Sequence, residues 1–166
     1  MTENNNKISF FTTGGTIDKY YNSTTQKNEF RENSNIPSYL KDTIGLDVEP
    51  QFKEILSIDS LDMTDDHRAL IVKEINASAC DKIILTHGTD TMVKTAQYIE
   101  KEIPNINKTI ILIGSMIPLD GFYRSDAPFN IGYAIAQAEL ISSGVYICMN
   151  ATTFKSHEVE KNIEKS

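Results

Sequence analysis

The chain has 166 residues, 40% of them hydrophobic and 23% charged, and a formal net charge of -7 at pH 7. That length suits one domain with a real core. The acidic balance argues against a general nucleic-acid or anionic-membrane surface, since both need a basic footprint.

The N-terminus, MTENNNKISFF, lacks the basic start and apolar run of a secretory signal. No apolar stretch approaches the ~20 residues that cross a bilayer, so a cytoplasmic protein is expected. A first strand is predicted over 7–13, ending in TTGGTI. The segment 18–37 is polar, Asn-rich and long for a connector: either a mobile loop or a small hairpin. Loops of that length in compact domains are more often functional than accidental. A short helix near 38–45 leads to a second strand over 52–58. Thr64, followed by Asp65 and Asp66, reads as the N-cap of a helix over 64–79. A third strand at 82–87 runs into a helix over 90–103, with Thr89 or Asp90 as its cap. A fourth strand follows at 109–115, then a helix over 126–142 capped by Ser125 or Asp126, with Pro128 in its first turn. The last strand is predicted at 144–150, and the charged tail TTFKSHEVEKNIEKS reads as solvated. Cys80 and Cys148, far apart and beside apolar segments, read as reduced core thiols.

The last three strands are nearly continuous in Ile, Leu and Val, as strands covered on both faces should be. Their alternation with helices predicts an α/β fold: a single three-layer domain with a flavodoxin- or Rossmann-like, mostly parallel sheet. Ligands of such sheets bind beyond the carboxyl ends of the strands. Those ends deliver Thr12-Thr13-Gly14-Gly15-Thr16, Asp59-Ser60-Leu61-Asp62, His87-Gly88-Thr89-Asp90 and Gly114-Ser115-Met116. Hydroxyls, carboxylates and glycines therefore converge on one edge, the composition of a small polar-ligand pocket.

TTGGTI lacks the lysine of a phosphate loop and the full spacing of a dinucleotide fingerprint. THGTDT holds more candidate caps than one helix needs, and no Glu or Gln completes a capping box with them. A threonine hydroxyl is a poor nucleophile without a base or polarising partner. Spacing alone does not choose that base: Asp90 is adjacent to Thr89, and Lys94 reads as an exposed i,i+4 partner of Asp90. His87 reads as a backbone anchor.

The motifs TTGGTID, DSLDMTD, THGTDTM, GSMIP and SDAPFNIGYAIA, in this order and spacing, resemble the bacterial-type L-asparaginases, amidohydrolases with a threonine nucleophile. The resemblance implies hydrolysis of L-asparagine to L-aspartate and ammonia through an acyl-enzyme, with L-glutamine a weaker substrate at most. It implies Thr13 as the primary nucleophile and Thr89 with Asp90 as the second threonine and its acid. Lys161 follows from the family's spacing as their lysine partner. Tyr21 is implied as the activating tyrosine on a lid formed by the long polar segment, with Tyr20 as the rival. Asp59, Ser60, Gly88, Thr89, Asp90 and Ser115 are implied to bind substrate, Ser60 through its α-carboxylate and Asp90 through its α-amino group. The Thr89 N–H would face the oxyanion and the Ser115 carbonyl the amide. No metal or organic cofactor is implied, and a homodimer or larger homo-oligomer is expected. The chain departs from the family at Leu61, where a polar residue is common, and in matching the N-terminal catalytic domain alone, as a short form or a fragment would. A non-catalytic sensor of asparagine or aspartate on the same fold is the competing expectation.

Overall fold

The computed structural model describes residues 7–47 and 50–160. In chain order these form β1 (Ile8–Gly14), the hairpin strands β2 (Lys19–Asn22) and β3 (Lys27–Phe30), and a short helix α1 (Ile36–Ser38) that widens into a π-helical turn over Tyr39–Ile44. Then come β4 (Gln51–Ile58), α2 (Asp65–Ala77), β5 (Lys82–Thr86), α3 (Met92–Glu102), β6 (Thr109–Ile113), α4 (Ala127–Leu140), β7 (Gly144–Met149) and β8 (Thr152–Lys155). No helix among the described residues is long and apolar enough to cross a membrane.

The main sheet has the order β4-β1-β5-β6-β7-β8. All neighbours are parallel except the last pair. From β1 the chain crosses to β4 on one side, then returns past β1 to lay β5 on the other. The strand order therefore reverses between β1 and β5, the switch point beyond whose carboxyl ends open α/β sheets bind ligands.

The continuous apolar runs are explained by two cores. Phe10, Ile84, Ile111 and Ile113 face Ile131, Ala134 and Ala138 of α4. Phe11, Ile83, Leu85, Ile110 and Leu112 face Ile71 and Ile75 of α2 and Ala96 and Ile99 of α3. Alternate residues of the same strand thus feed opposite cores, so neither face can be polar. Cys80 and Cys148 are buried free thiols.

Thr64 caps α2 as expected, its hydroxyl accepting from the His67 N–H while the His67 ring accepts from the Thr64 N–H. The polar segment after β1 is a hairpin rather than an unstructured loop, with Tyr21 opposite Asn28. It is docked onto the loop after β6: the Tyr21 N–H donates to the Asp120 carbonyl at 3.0 Å. The Asp120 carboxylate also receives Arg31 at 2.9 Å and Asn35 at 2.6 Å.

Two expectations are corrected. α3 begins at Met92 rather than Asp90, and the residue at its N-cap is Thr91, whose hydroxyl donates to the Ser60 carbonyl at 2.7 Å instead of capping. The tail is not wholly solvated: β8 pairs antiparallel with β7, and Ser156 behind it is fully buried.

Candidate active site

At the end of β1 the pairing register with β4 shifts between Thr12 and Gly14, and the chain then turns through Gly14 and Gly15 at φ of 100° and 80°. A left-handed backbone of this kind favours glycine. The turn is also packed tightly, because a Cβ built on Gly15 would lie 2.3 Å from the Gly88 nitrogen. A Cβ on Gly88 would in turn lie 2.5 Å from Ser60 Oγ. The β1 and β5 exits therefore touch backbone to backbone, and the Ser60 side chain of the β4 exit packs directly on Gly88, a closeness that a side chain at either glycine would prevent.

The structure corrects the place of Thr13. Its side chain is 1% exposed, and its hydroxyl donates to the Thr86 carbonyl at 2.6 Å, inside the sheet. Its N–H donates to Thr86 Oγ1 at 3.3 Å. Thr13 thus ties β1 to β5 and offers no hydroxyl to a ligand. Thr12, Gly14 and Gly15 are buried too, and Thr16 is the first residue past the turn that is only half-buried.

At the β5 exit Gly88 is buried, Thr89 is half-buried and Asp90 is exposed, so the chain climbs from the sheet to its surface within three residues. Ser60 is buried, and its hydroxyl has no hydrogen-bond partner among the described residues. Asp59 beside it accepts from Lys19 Nζ at 2.6 Å, and Leu61 is exposed. At the β6 exit Ser115 is buried and donates to the Ile117 carbonyl at 2.6 Å. The Asp126 carboxylate shapes this exit by accepting the N–H groups of Met116 and Ile117. Lys94 lies 3.6 Å from Asp65. Lys161 lies outside the described residues.

The hairpin covers this edge. Residues 19 and 21 share one face of β2, as strand alternation requires. From that face Lys19 reaches Asp59, and the Tyr21 ring packs on Phe122 at 5.1 Å. Tyr20 lies on the other face, under the Arg31 guanidinium at 4.4 Å, with its hydroxyl 3.5 Å from Glu29. Tyr21 therefore shares the Lys19 face of the hairpin and lies against the loop after β6.

Asp18 went unmarked in the sequence. It is 7% exposed, and its carboxylate accepts from Ser34 at 2.5 Å and Thr86 at 2.8 Å, joining the base of the hairpin to the β1–β5 junction. Burial raises its pKa to about 6, outweighing these donated hydrogen bonds. The folded chain therefore holds a proton that the unfolded chain releases near pH 3.8. Stability contributed by that proton is full below this value and is lost as pH rises to about 6, by about 3 kcal/mol. Urea unfolding from pH 4 to 7 should show that fall in wild type relative to Asp18→Asn, which has no proton to lose.

Arg68 was likewise missed, yet it sits three and seven residues before Ile71 and Ile75 on the buried stripe of α2. Its Nε donates to Thr95 Oγ1 at 3.0 Å, which lies 2.8 Å from Nε2 of the buried His87. Among the described residues no group of three or more His, Cys, Asp or Glu side chains is arranged to hold a metal ion.

An open, mostly parallel sheet whose hydroxyl-bearing turns meet at its switch point defines the class, an α/β domain with polar turns gathered at its carboxyl edge. The chain belongs to the asparaginase family: the profile described as "Asparaginase, N-terminal" matches residues 7–166. It is 31% identical to L-asparaginase 2 of Escherichia coli, with 93% of this chain and 46% of that protein aligned. It is also 31% identical to the glutaminase-asparaginase of Acinetobacter glutaminasificans, over 66% of this chain and 35% of the other. Among solved structures, the probable cytoplasmic L-asparaginase from Campylobacter jejuni superposes with a TM-score of 0.75 at 26% identity, covering 91% of this chain and 48% of that one. The thermostable L-asparaginase from Thermococcus kodakarensis shares the fold with a TM-score of 0.76 at 23% identity, covering 90% and 46%. The chain spans less than half the length of each of these proteins.

Proposed function

We propose that this chain hydrolyses L-asparagine to L-aspartate and ammonia through a threonine acyl-enzyme. The observation that carries the reading is the junction of the TTGGT and HGTDT turns, Gly15 against Gly88 and Gly88 against Ser60. Both threonine motifs and the Ser60 hydroxyl thereby border one crevice.

Thr16 takes the role of nucleophile in place of Thr13. Its oxygen bonds to the side-chain amide carbon, the C–N bond breaks, and ammonia departs with the proton that Thr16 gave up. Tyr21, on the Lys19 face of the hairpin, orients that hydroxyl and relays its proton. The Thr89 N–H stabilises the oxyanion and the Ser115 carbonyl holds the amide nitrogen. Water then attacks the acyl ester with help from Thr89, Asp90 and Lys161, releasing aspartate and returning the proton to Thr16. A substrate α-carboxylate on Ser60 gives that buried hydroxyl the partner a buried polar group needs. The α-ammonium rests on the Asp90 carboxylate at the mouth.

The test is ammonia release from L-asparagine by the purified chain. Sustained turnover is expected, with more product than protein. Binding of asparagine or aspartate with no ammonia released overturns the reading.

A further inference from the structure

The imidazole of His87 is fully buried and has no part in the reaction above. Its neighbours decide the direction of both its hydrogen bonds. Nδ1 lies 2.7 Å from the Gly88 carbonyl oxygen, which can only accept, so Nδ1 carries the proton. Nε2 is then the acceptor, and the Thr95 hydroxyl, 2.8 Å away, donates to it. That hydroxyl in turn accepts from Arg68 Nε at 3.0 Å. The Arg68 side chain is 1% exposed, with Nη1 held by Asp65 at 2.8 Å. A guanidinium only donates, so every hydrogen bond from Arg68 to the Gly88 carbonyl points one way. Burial keeps the imidazole neutral by pushing its pKa down to about 4, and the Arg68 charge acts in the same direction.

A trans peptide is planar, with its C=O and N–H on opposite edges. Holding the Gly88 carbonyl therefore fixes the plane of the peptide that leads Thr89 and Asp90 out of the sheet. We propose that Arg68, Thr95 and His87 form a buried positioning relay that sets this peptide plane and so aligns Thr89 with the substrate. The proposal rests on the asparagine-hydrolysing reading for its kinetic consequence, though not for its hydrogen-bond pattern.

Two substitutions separate positioning from mere stability. His87→Leu removes the donor to Gly88, whereas His87→Asn keeps an N–H near the place of Nδ1 but cannot reach Thr95. Both lose the link to Thr95 and Arg68, so both should lower the melting temperature, His87→Leu the further because it also leaves the Gly88 carbonyl unpaired. The Asn amide keeps its donor without a tautomer for Arg68 and Thr95 to fix. In ammonia release, kcat of His87→Leu should fall about 10- to 100-fold, the scale of a misplaced reacting group, and His87→Asn should stay within about threefold of wild type. The relay is overturned if the two variants lose kcat equally, or if folded His87→Leu keeps full kcat. Nitrogen NMR of the wild-type imidazole adds a test that needs no variant: the Nδ1–H tautomer is expected, and the Nε2–H tautomer overturns the relay. If wild type releases no ammonia, the proposed reaction fails, while the tautomer and a shift of the Thr89 amide resonance in His87→Leu still decide the relay.

Discussion

Thr16→Ala should abolish ammonia release from L-asparagine, by about a thousandfold or more, while Thr13→Val should remain within about tenfold of wild type. The contrast follows from where the two hydroxyls stand. Removing the Thr13 hydroxyl frees the Thr86 carbonyl inside the sheet, which costs stability of about 1–3 kcal/mol but removes no group from the crevice. Removing the Thr16 hydroxyl leaves the stability of a half-buried turn residue nearly untouched and takes away the atom proposed to form the acyl bond. Steady-state ammonia release paired with urea unfolding reads both quantities on the same preparations. If Thr13→Val is the dead variant at unchanged stability, the nucleophile has been misplaced. Thr89→Val gives a second point: it should also be strongly impaired, because the proposed mechanism assigns both oxyanion alignment and deacylation to that residue.

The difference between Thr13 and Thr16 also shows where reading the sequence stops. Continuous Ile and Leu runs such as Ile110–Ile113 announce doubly covered strands, and the parallel sheet and its ligand-bearing edge follow from them. In TTGGT the alternation that would say which threonine points outward is broken by the register shift between Thr12 and Gly14. Periodicity therefore cannot distinguish a hydroxyl that ties two strands from one that faces a ligand. The start of α3 was misread for a related reason. Thr91 has a cap's residue type and place, but the Ser60 carbonyl competes for its hydroxyl, and no local pattern announces a partner from β4's exit. The tail was misjudged from its charge, although only its middle residues Thr153 and Phe154 are half-buried where β8 docks on β7. Arg68 carried the opposite signal, a charge on an apolar stripe, which earns burial only once Thr95 and Asp65 supply partners. His87 read correctly as a backbone anchor, but the backbone it anchors is the one that leads to Thr89.

Gly15→Ala should be severely damaging, with a loss of about 3–5 kcal/mol of stability and of most ammonia release in whatever remains folded. Two costs combine. The backbone at φ 80° and ψ 176° lies in a region essentially reserved for glycine, worth about 1–3 kcal/mol of strain. The added carbon would also sit 2.3 Å from the Gly88 nitrogen and 2.6 Å from its Cα, which only a separation of the two turns relieves. That separation moves Thr16 away from Thr89, so activity should fall further than the folded fraction does. Gly45→Ala provides the control, since its φ of 66° is also left-handed but nothing lies within 4 Å of the added carbon. It should cost only the strain of a left-handed residue, about 1–2 kcal/mol, and leave turnover per folded molecule unchanged. Urea unfolding and ammonia release measured on both variants separate backbone strain from close approach. Equal losses at Gly15 and Gly45 would mean that contact between the TTGGT and HGTDT turns does not hold the site together.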